Sequence, residues 1–175
     1  MTISLKISQK WDYYLFLLLP VLLLTIILAW KFYQFESREV GIPDNVLLKP
    51  GKLISKEFEL IKTHTQLGVD ILSGNDQYSL ASQVCLHHHD RWDGEGYPTG
   101  LKGEEIPLIA RIVSVIDVFD ALISKRCYKK VWKIEKAIQE IELGSGSQFD
   151  PKVVDIFLSL HQQGRFNSII TLSND

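Results

Sequence analysis

Cysteine is scarce. Cys85 and Cys127 are the only two in 175 residues, and they form neither a CxxC pair nor a framework of several bridges. This excludes a small disulfide-stapled scaffold and fits a reduced cytosolic domain better than a secreted one. Excess positive charge is also missing, because the chain carries a formal −2 at pH 7. That excludes a generally basic nucleic-acid binder, so no nucleic-acid polymer is expected as a partner. Residues 1–35 hold Lys6, Lys10 and Lys31 against Asp12, a net of +2, which leaves −4 for residues 36–175. One local exception runs through Lys125, Arg126, Lys129, Lys130, Lys133 and Lys136, opposed only by Glu135. Strand-period alternation of useful length is lacking, as are internal repeats and low-complexity tracts. The expected fold class is therefore all-α.

What is present begins with a long apolar run. Residues 13–30, YYLFLLLPVLLLTIILAW, contain no charge over 18 residues. As a helix they would span about 27 Å, close to the roughly 30 Å hydrocarbon thickness of a bilayer. Trp11, Tyr13 and Tyr14 at one end and Trp30, Phe32 and Tyr33 at the other are placed like interfacial aromatic belts. Pro20 is tolerated in a membrane helix. A secretory signal peptide is the competing reading, since Lys6 and Lys10 precede the run. LAWKFYQF, however, offers bulky aromatics where cleavage wants small residues. Lys31, Arg38, Lys49 and Lys52 follow the span, so the positive-inside rule leans toward a cytoplasmic C-terminal part. The expectation is a single-pass protein of the inner (cytoplasmic) membrane.

Beyond the span, VGIPDNVLLKPGKL reads as an extended connector with turns, broken by Pro43 and the Pro50–Gly51 pair. Ser55 is expected to cap a helix that carries an apolar stripe of Phe58, Ile61, Leu67 and Ile71 and ends at Gly74. A second helix is predicted over 79–89, and residues 90–107 form a glycine-punctuated loop. Residues 108–124 are apolar almost all round and predict a core helix. KIEKAIQEIEL is amphipathic and ends at Gly144, and Pro151 suits the first turn of a last helix reaching about Gln163.

Several side chains then stand out for their chemistry. Asp117 lies within the apolar helix, where a bare carboxylate costs several kcal/mol unless it is paired or metal-bound. Asp120, three residues on, projects from the same face. A buried salt bridge or an interhelical cap is the alternative reading of Asp117, and the histidine cluster a loop away stands against it. His87, His88 and His89 cannot all point one way on a helix, where successive side chains are about 100° apart. At a fraying last turn, two neighbours can converge on a metal, although a solvated helix end is the plainer reading. His64, mid-helix between threonines, reads alone as an ordinary hydrogen-bonded histidine. Arg126 and Lys129 are spaced to grip a phosphate between a planar fork and a point charge, and a solvated or lipid-facing basic face is the alternative. Taken together, these groups suggest metal-assisted phosphoester hydrolysis.

VGIPDNVLLKPGKL, KTHTQLG, HHHDRWDGEGYPTGLKGEEIPLIARIVSVIDVFDAL, RCYKK and GSGSQFDP resemble the HD-GYP family of bacterial cyclic di-GMP phosphodiesterases. The resemblance runs from Val40 to about Leu160. It implies an all-helical HD-type bundle holding iron, manganese or similar divalent metals and hydrolysing a cyclic dinucleotide to the linear dinucleotide or GMP. It implies His64, His88, His89 and Asp117 as metal ligands and leaves His87 incidental. Arg126 and Lys129 match the phosphate-binding pair, with Asp120 and Tyr97 near the substrate.

The departures from the family pattern are specific. Where the family reads HDIGKVGIPD, this chain reads FESREVGIPD, so Phe35 and Glu36 replace the His-Asp pair and Glu39 replaces the lysine. Four remaining ligands suffice for one ion, whereas a two-metal clamp is not expected. The helices that would precede the connector are replaced by the apolar span, so the HD-type bundle is expected to be incomplete, with positions such as Leu60 and Val115 losing cover. The expected organisation is a tail and membrane helix over 1–35, a partial HD-GYP domain over 36–165 and a C-terminal tail over 166–175. No catalytic residue is assignable. Three functions stay open: a membrane-anchored phosphodiesterase, an inactive module binding a cyclic dinucleotide or docking a protein through the GYP loop, and a truncated fragment without function.

Overall fold

The structure is a computed structural model that describes residues 41–74, 76–124 and 131–164. The proposed membrane span, Arg126 and Lys129, and the C-terminal tail lie outside the described residues. Among the described residues the secondary structure is helical, with an isolated bridge between Ser145 and Phe149. None of these helices is long and apolar enough to cross a membrane.

The connector is less extended than predicted. Pro43, with φ −63° and ψ 138°, starts the short helix α1, Asp44–Leu47. Ile42 and Val46 are buried, and Gly41 comes so close to Leu67 that a Cβ would sit 2.8 Å from Leu67 Cδ1. The connector is thereby pinned to the helices that follow. Lys49 Nζ donates to both carboxylate oxygens of Glu57 at 2.8 and 2.6 Å, and Glu57 Oε2 also accepts the backbone N–H of Ile54. Ile54, not Ser55, is thus the residue preceding the first turn of α2, Ser55–Lys62.

The single helix predicted from Ser55 to Gly74 is divided at Thr63 into α2 and α3, His64–Leu72. Three consecutive side chains turn back onto three consecutive carbonyls. Thr63 Oγ1 donates to Leu60 O, His64 Nδ1 bonds Ile61 O, and Thr65 Oγ1 donates to Lys62 O. Such local side-chain bonds compete with helix propagation. The break makes His64 the first residue of α3. After a 3₁₀ turn at Asp76–Tyr78, α4 (Ser79–His87) packs against α3. Gly68 permits that approach, because a Cβ there would lie 2.9 Å from both Cβ and Sγ of Cys85.

The predicted core helix is α5, Leu108–Ile123. It buries Val115, Phe119 and Leu122 against Ala137, Ile138 and Ile141 of α6 (Ile134–Leu143) and Val153, Val154 and Phe157 of α7 (Pro151–Gln162). Val115, expected to lose its cover, is 1% exposed, because α6 and α7 cover it. Leu60 stays exposed, as do Phe58, Ile71 and Leu80. The well-filled core therefore lies on the C-terminal side, and α2 buries no residue. Pro151 occupies the first turn of α7 as expected, and Asp150 caps that helix by accepting the Lys152 N–H at 2.8 Å.

Candidate metal centre

Helix α4 ends at His87, two residues earlier than predicted, so His88 and His89 lie in the turn beyond it. Released from the 100° helical step, their rings come together with centroids 4.0 Å apart. His64, at the start of α3, adds a third ring with centroids 5.3 Å from His88 and 5.0 Å from His89. One donor atom from each of the three lies within 4.8 Å of the others.

The tautomers follow from the hydrogen bonds. His64 Nδ1 faces Ile61 O at 2.6 Å, and His88 Nδ1 faces Val84 O at 2.9 Å and Cys85 O at 3.1 Å. A carbonyl only accepts, so each Nδ1 carries a proton, and a ring with no second proton presents a lone pair on Nε2. Those two Nε2 atoms are 3.3 Å apart. Facing lone pairs repel, and a cation between them reverses the sign. Burial, together with the nearby His64, pushes His88 down to about 4. Burial and then His88 and His64 push His89 down to about 2. Both are neutral at pH 7, the form that binds metal. Three imidazole donors fit a borderline divalent ion.

The loop after the trio is fastened at both ends. The buried carboxylate of Asp90 accepts from His87 Nδ1 at 2.8 Å, Thr99 Oγ1 at 2.6 Å and the Gly100 N–H at 2.9 Å. On the other side, the N–H groups of Trp92 and Asp93 donate to the carbonyls of Gln148 and Ser147. Arg91 grips Asp93 with two bonds, and Arg111 binds Asp150 at 2.6 Å beneath Trp92. Gly96 lies flat on the chain, where a Cβ would be 2.3 Å from Arg91 N and 2.5 Å from His89 O. Its neighbour Tyr97 returns a backbone N–H to His89 O and stacks on the His89 ring at 4.7 Å and 27°.

Of the residues singled out in the sequence, His64, His88, His89 and Tyr97 are brought together. Asp117 is half-buried on α5 with a contact of its own, and it is not among the mutually close metal donors. Asp120 Oδ1 accepts from Ser124 Oγ at 3.0 Å, while its buried Oδ2 has no hydrogen-bond partner among the described residues. His87 is part of the loop latch through Asp90, a role the sequence reading gave to neither residue. Its partners Thr99 and Gly100 lie nine and ten residues from Asp90 across a loop, a separation with no periodic signal.

A helical scaffold that brings three imidazoles together beside a stapled glycine-rich loop is the arrangement expected of an HD-type domain. The HD domain family matches residues 37–153. The chain is 48% identical over 127 residues to a cyclic di-GMP phosphodiesterase of Thermotoga maritima, covering 71% of this chain and 34% of the relative. It is 41% identical over 122 residues to a 3'3'-cGAMP-specific phosphodiesterase of Vibrio cholerae, covering 69% and 23%. In crystal structure, a cyclic GMP-AMP-specific phosphodiesterase of V. cholerae superposes with a TM-score of 0.53 at 28% identity, covering 74% of this chain and 34% of that one. The chain spans about a third or less of the length of these relatives. It belongs to the HD-domain family, in the HD-GYP group.

Proposed function

We propose that this chain is an HD-GYP-type, metal-dependent phosphodiesterase module that takes a cyclic dinucleotide, cyclic di-GMP in the first place, at His64, His88 and His89. The observation that carries the reading is the convergence of those three rings, two of them locked with Nε2 lone pairs face to face. The relatives named for cyclic di-GMP and 3'3'-cGAMP support the substrate class. A divalent metal there, iron or manganese by resemblance, would supply a Lewis acid for a phosphoryl oxygen and lower the pKa of a bound water. The trio would hold a single ion, the Asp90 latch fixes the loop, and Tyr97 borders the site. Arg126 and Lys129 are proposed to bind phosphate, with Asp120 near the substrate and Asp117 as a fourth ligand. Residues 13–30 are proposed to anchor the module in the inner membrane with its C-terminal part in the cytoplasm, supported by 18 uncharged residues.

A second reading has its own observation. Phe35, Glu36 and Glu39 stand where the His-Asp pair and the lysine belong, which favours binding, of ligand or of a protein at the GYP loop, without turnover. One experiment separates these. The detergent-solubilised full chain is loaded with manganese and assayed for cyclic di-GMP binding and hydrolysis, beside His89→Ala. Turnover lost in the variant supports the enzyme, and binding without turnover supports the module. Absence of a cooperative melt would show a chain that does not fold alone and would overturn both.

A further inference from the structure

Helix α2 places Phe58 and Lys62 one turn apart on the same face. Phe58 meets Tyr97 edge-on, with ring centroids 5.9 Å apart and planes at 79°. The ammonium of Lys62 lies 5.0 Å from the Phe58 ring centre and 5.5 Å from that of Tyr97. Tyr97 in turn stacks on His89 of the metal trio. A continuous row therefore leads from the trio through Tyr97 to a cation and a second aromatic ring.

Phe58 is not a core residue, although the sequence places it in an apolar stripe. It is 43% exposed, on a helix that buries nothing. An aromatic side chain held open beside a candidate metal centre offers what a nucleobase needs, a flat apolar face of sequence-tolerant stacking. Lys62 is paired with Glu59 at 2.7 Å, but the Glu59 side chain is 68% exposed. Such surface pairs are weak, so an arriving phosphate competes well for the ammonium. The sequence also carries Glu39 in place of the family lysine, and Lys62 is a cation that the fold does place next to the trio's stacking neighbour.

We propose that Phe58, Lys62 and Tyr97 form a nucleotide-binding wall beside the histidine trio, with a purine base stacked on Phe58 and an adjacent phosphate facing Lys62. The assignment rests on the cyclic-dinucleotide reading given above and adds to it the side from which the ligand is held. Neither Phe58 nor Lys62 contributes a metal donor, so variants at both positions leave metal content unchanged.

The test uses the manganese-loaded full chain in detergent and measures equilibrium binding of cyclic di-GMP and of GMP, with bound manganese counted in each sample. Phe58→Ala and Phe58→Leu should each weaken cyclic di-GMP binding by about tenfold or more, while Phe58→Trp keeps it within about threefold. Lys62→Met should weaken binding and flatten its salt dependence. Leucine keeps apolar bulk, so a loss shared by both smaller variants is a loss of stacking and not of packing. Wild-type binding that Phe58→Leu leaves intact would overturn the wall alone. A wild-type chain that holds manganese but binds no cyclic di-GMP would overturn the ligand class together with the wall. Equal binding of GMP would retain the wall as a mononucleotide site and overturn the dinucleotide.

Discussion

The Nε2 atoms of His64 and His88 lie 3.3 Å apart, while the opposite nitrogen of each ring is held by a backbone carbonyl. This arrangement is unfavourable without a cation and favourable with one. Manganese at a hundredfold excess over its dissociation constant should stabilise the folded chain by about 2.7 kcal/mol. His64→Ala should abolish that gain while leaving the metal-free melt little changed, because the variant also removes the facing lone pair. Thermal unfolding with and without chelator checks both statements. A His64→Ala protein still stabilised by manganese would contradict them.

Acid should destabilise the metal-free protein. In the unfolded chain both His88 and His89 protonate as the pH falls through about 6.5. In the folded chain burial delays this to about 4 for His88 and about 2 for His89. The unfolded state binds more protons between those values, so stability is full above pH 6.5 and declines as the pH falls toward 4. The slope approaches about 1.4 kcal/mol per pH unit for each histidine. Urea midpoints in chelator at pH 7.5 and pH 5 test the sign. Proton competition lowers metal affinity in the same direction. Equal or greater stability at pH 5 would count against neutral His88 and His89 in the folded chain.

Asp90 should be the most sensitive position in the loop outside the ligands. Its carboxylate is 3% exposed by residue and satisfies three donors from His87, Thr99 and Gly100. Asp90→Ala leaves the Gly100 N–H without its partner and should cost about 3 kcal/mol, whereas His87→Ala, which removes one bond, should cost about 1 kcal/mol. Denaturant unfolding of the two variants gives the ranking. If His87→Ala cost as much as Asp90→Ala, the latch would not be organised around the carboxylate.

Two glycines are predicted to act on metal affinity without touching the metal. Gly96→Ala forces a Cβ to within 2.3 Å of Arg91 N, and the loop must lift, taking Tyr97 off His89. Gly68→Ala brings a Cβ to 2.9 Å from the Cys85 sulfur and pushes α3, with His64, away from α4. Both should weaken manganese binding at least about tenfold, Gly96→Ala more, since it meets backbone and Gly68→Ala meets a side chain. Metal titration of the folded variants measures this, and wild-type affinity in either would contradict the account of the loop or of the helix pair.

His88 and His89 stood out in the sequence as neighbours in a compact run, His64 joined them only through the family resemblance, and the core helix was legible because its apolar pattern is strong. The break at Thr63 was not. Helical periodicity runs straight through it, and only the three backward side-chain bonds of Thr63, His64 and Thr65 divide it. That break is also what makes His64 the leading residue of its helix. Phe58 was placed in an apolar stripe, and its exposure was not legible because spacing reports a face and not what covers it. Val115 was expected to be bare, yet α6 and α7, which are distant in sequence, close over it. Asp90 was given no structural role because its partners are gathered by loop tertiary structure alone.

The most direct test of the central claim is a manganese titration of the metal-free full chain, with bound ion counted per chain and repeated for His64→Ala, His88→Ala and His89→Ala. The account predicts one ion per wild-type chain and loss of tight binding in all three variants. Absence of binding by the wild-type chain, or binding that survives the loss of any one of these histidines unchanged, would contradict it.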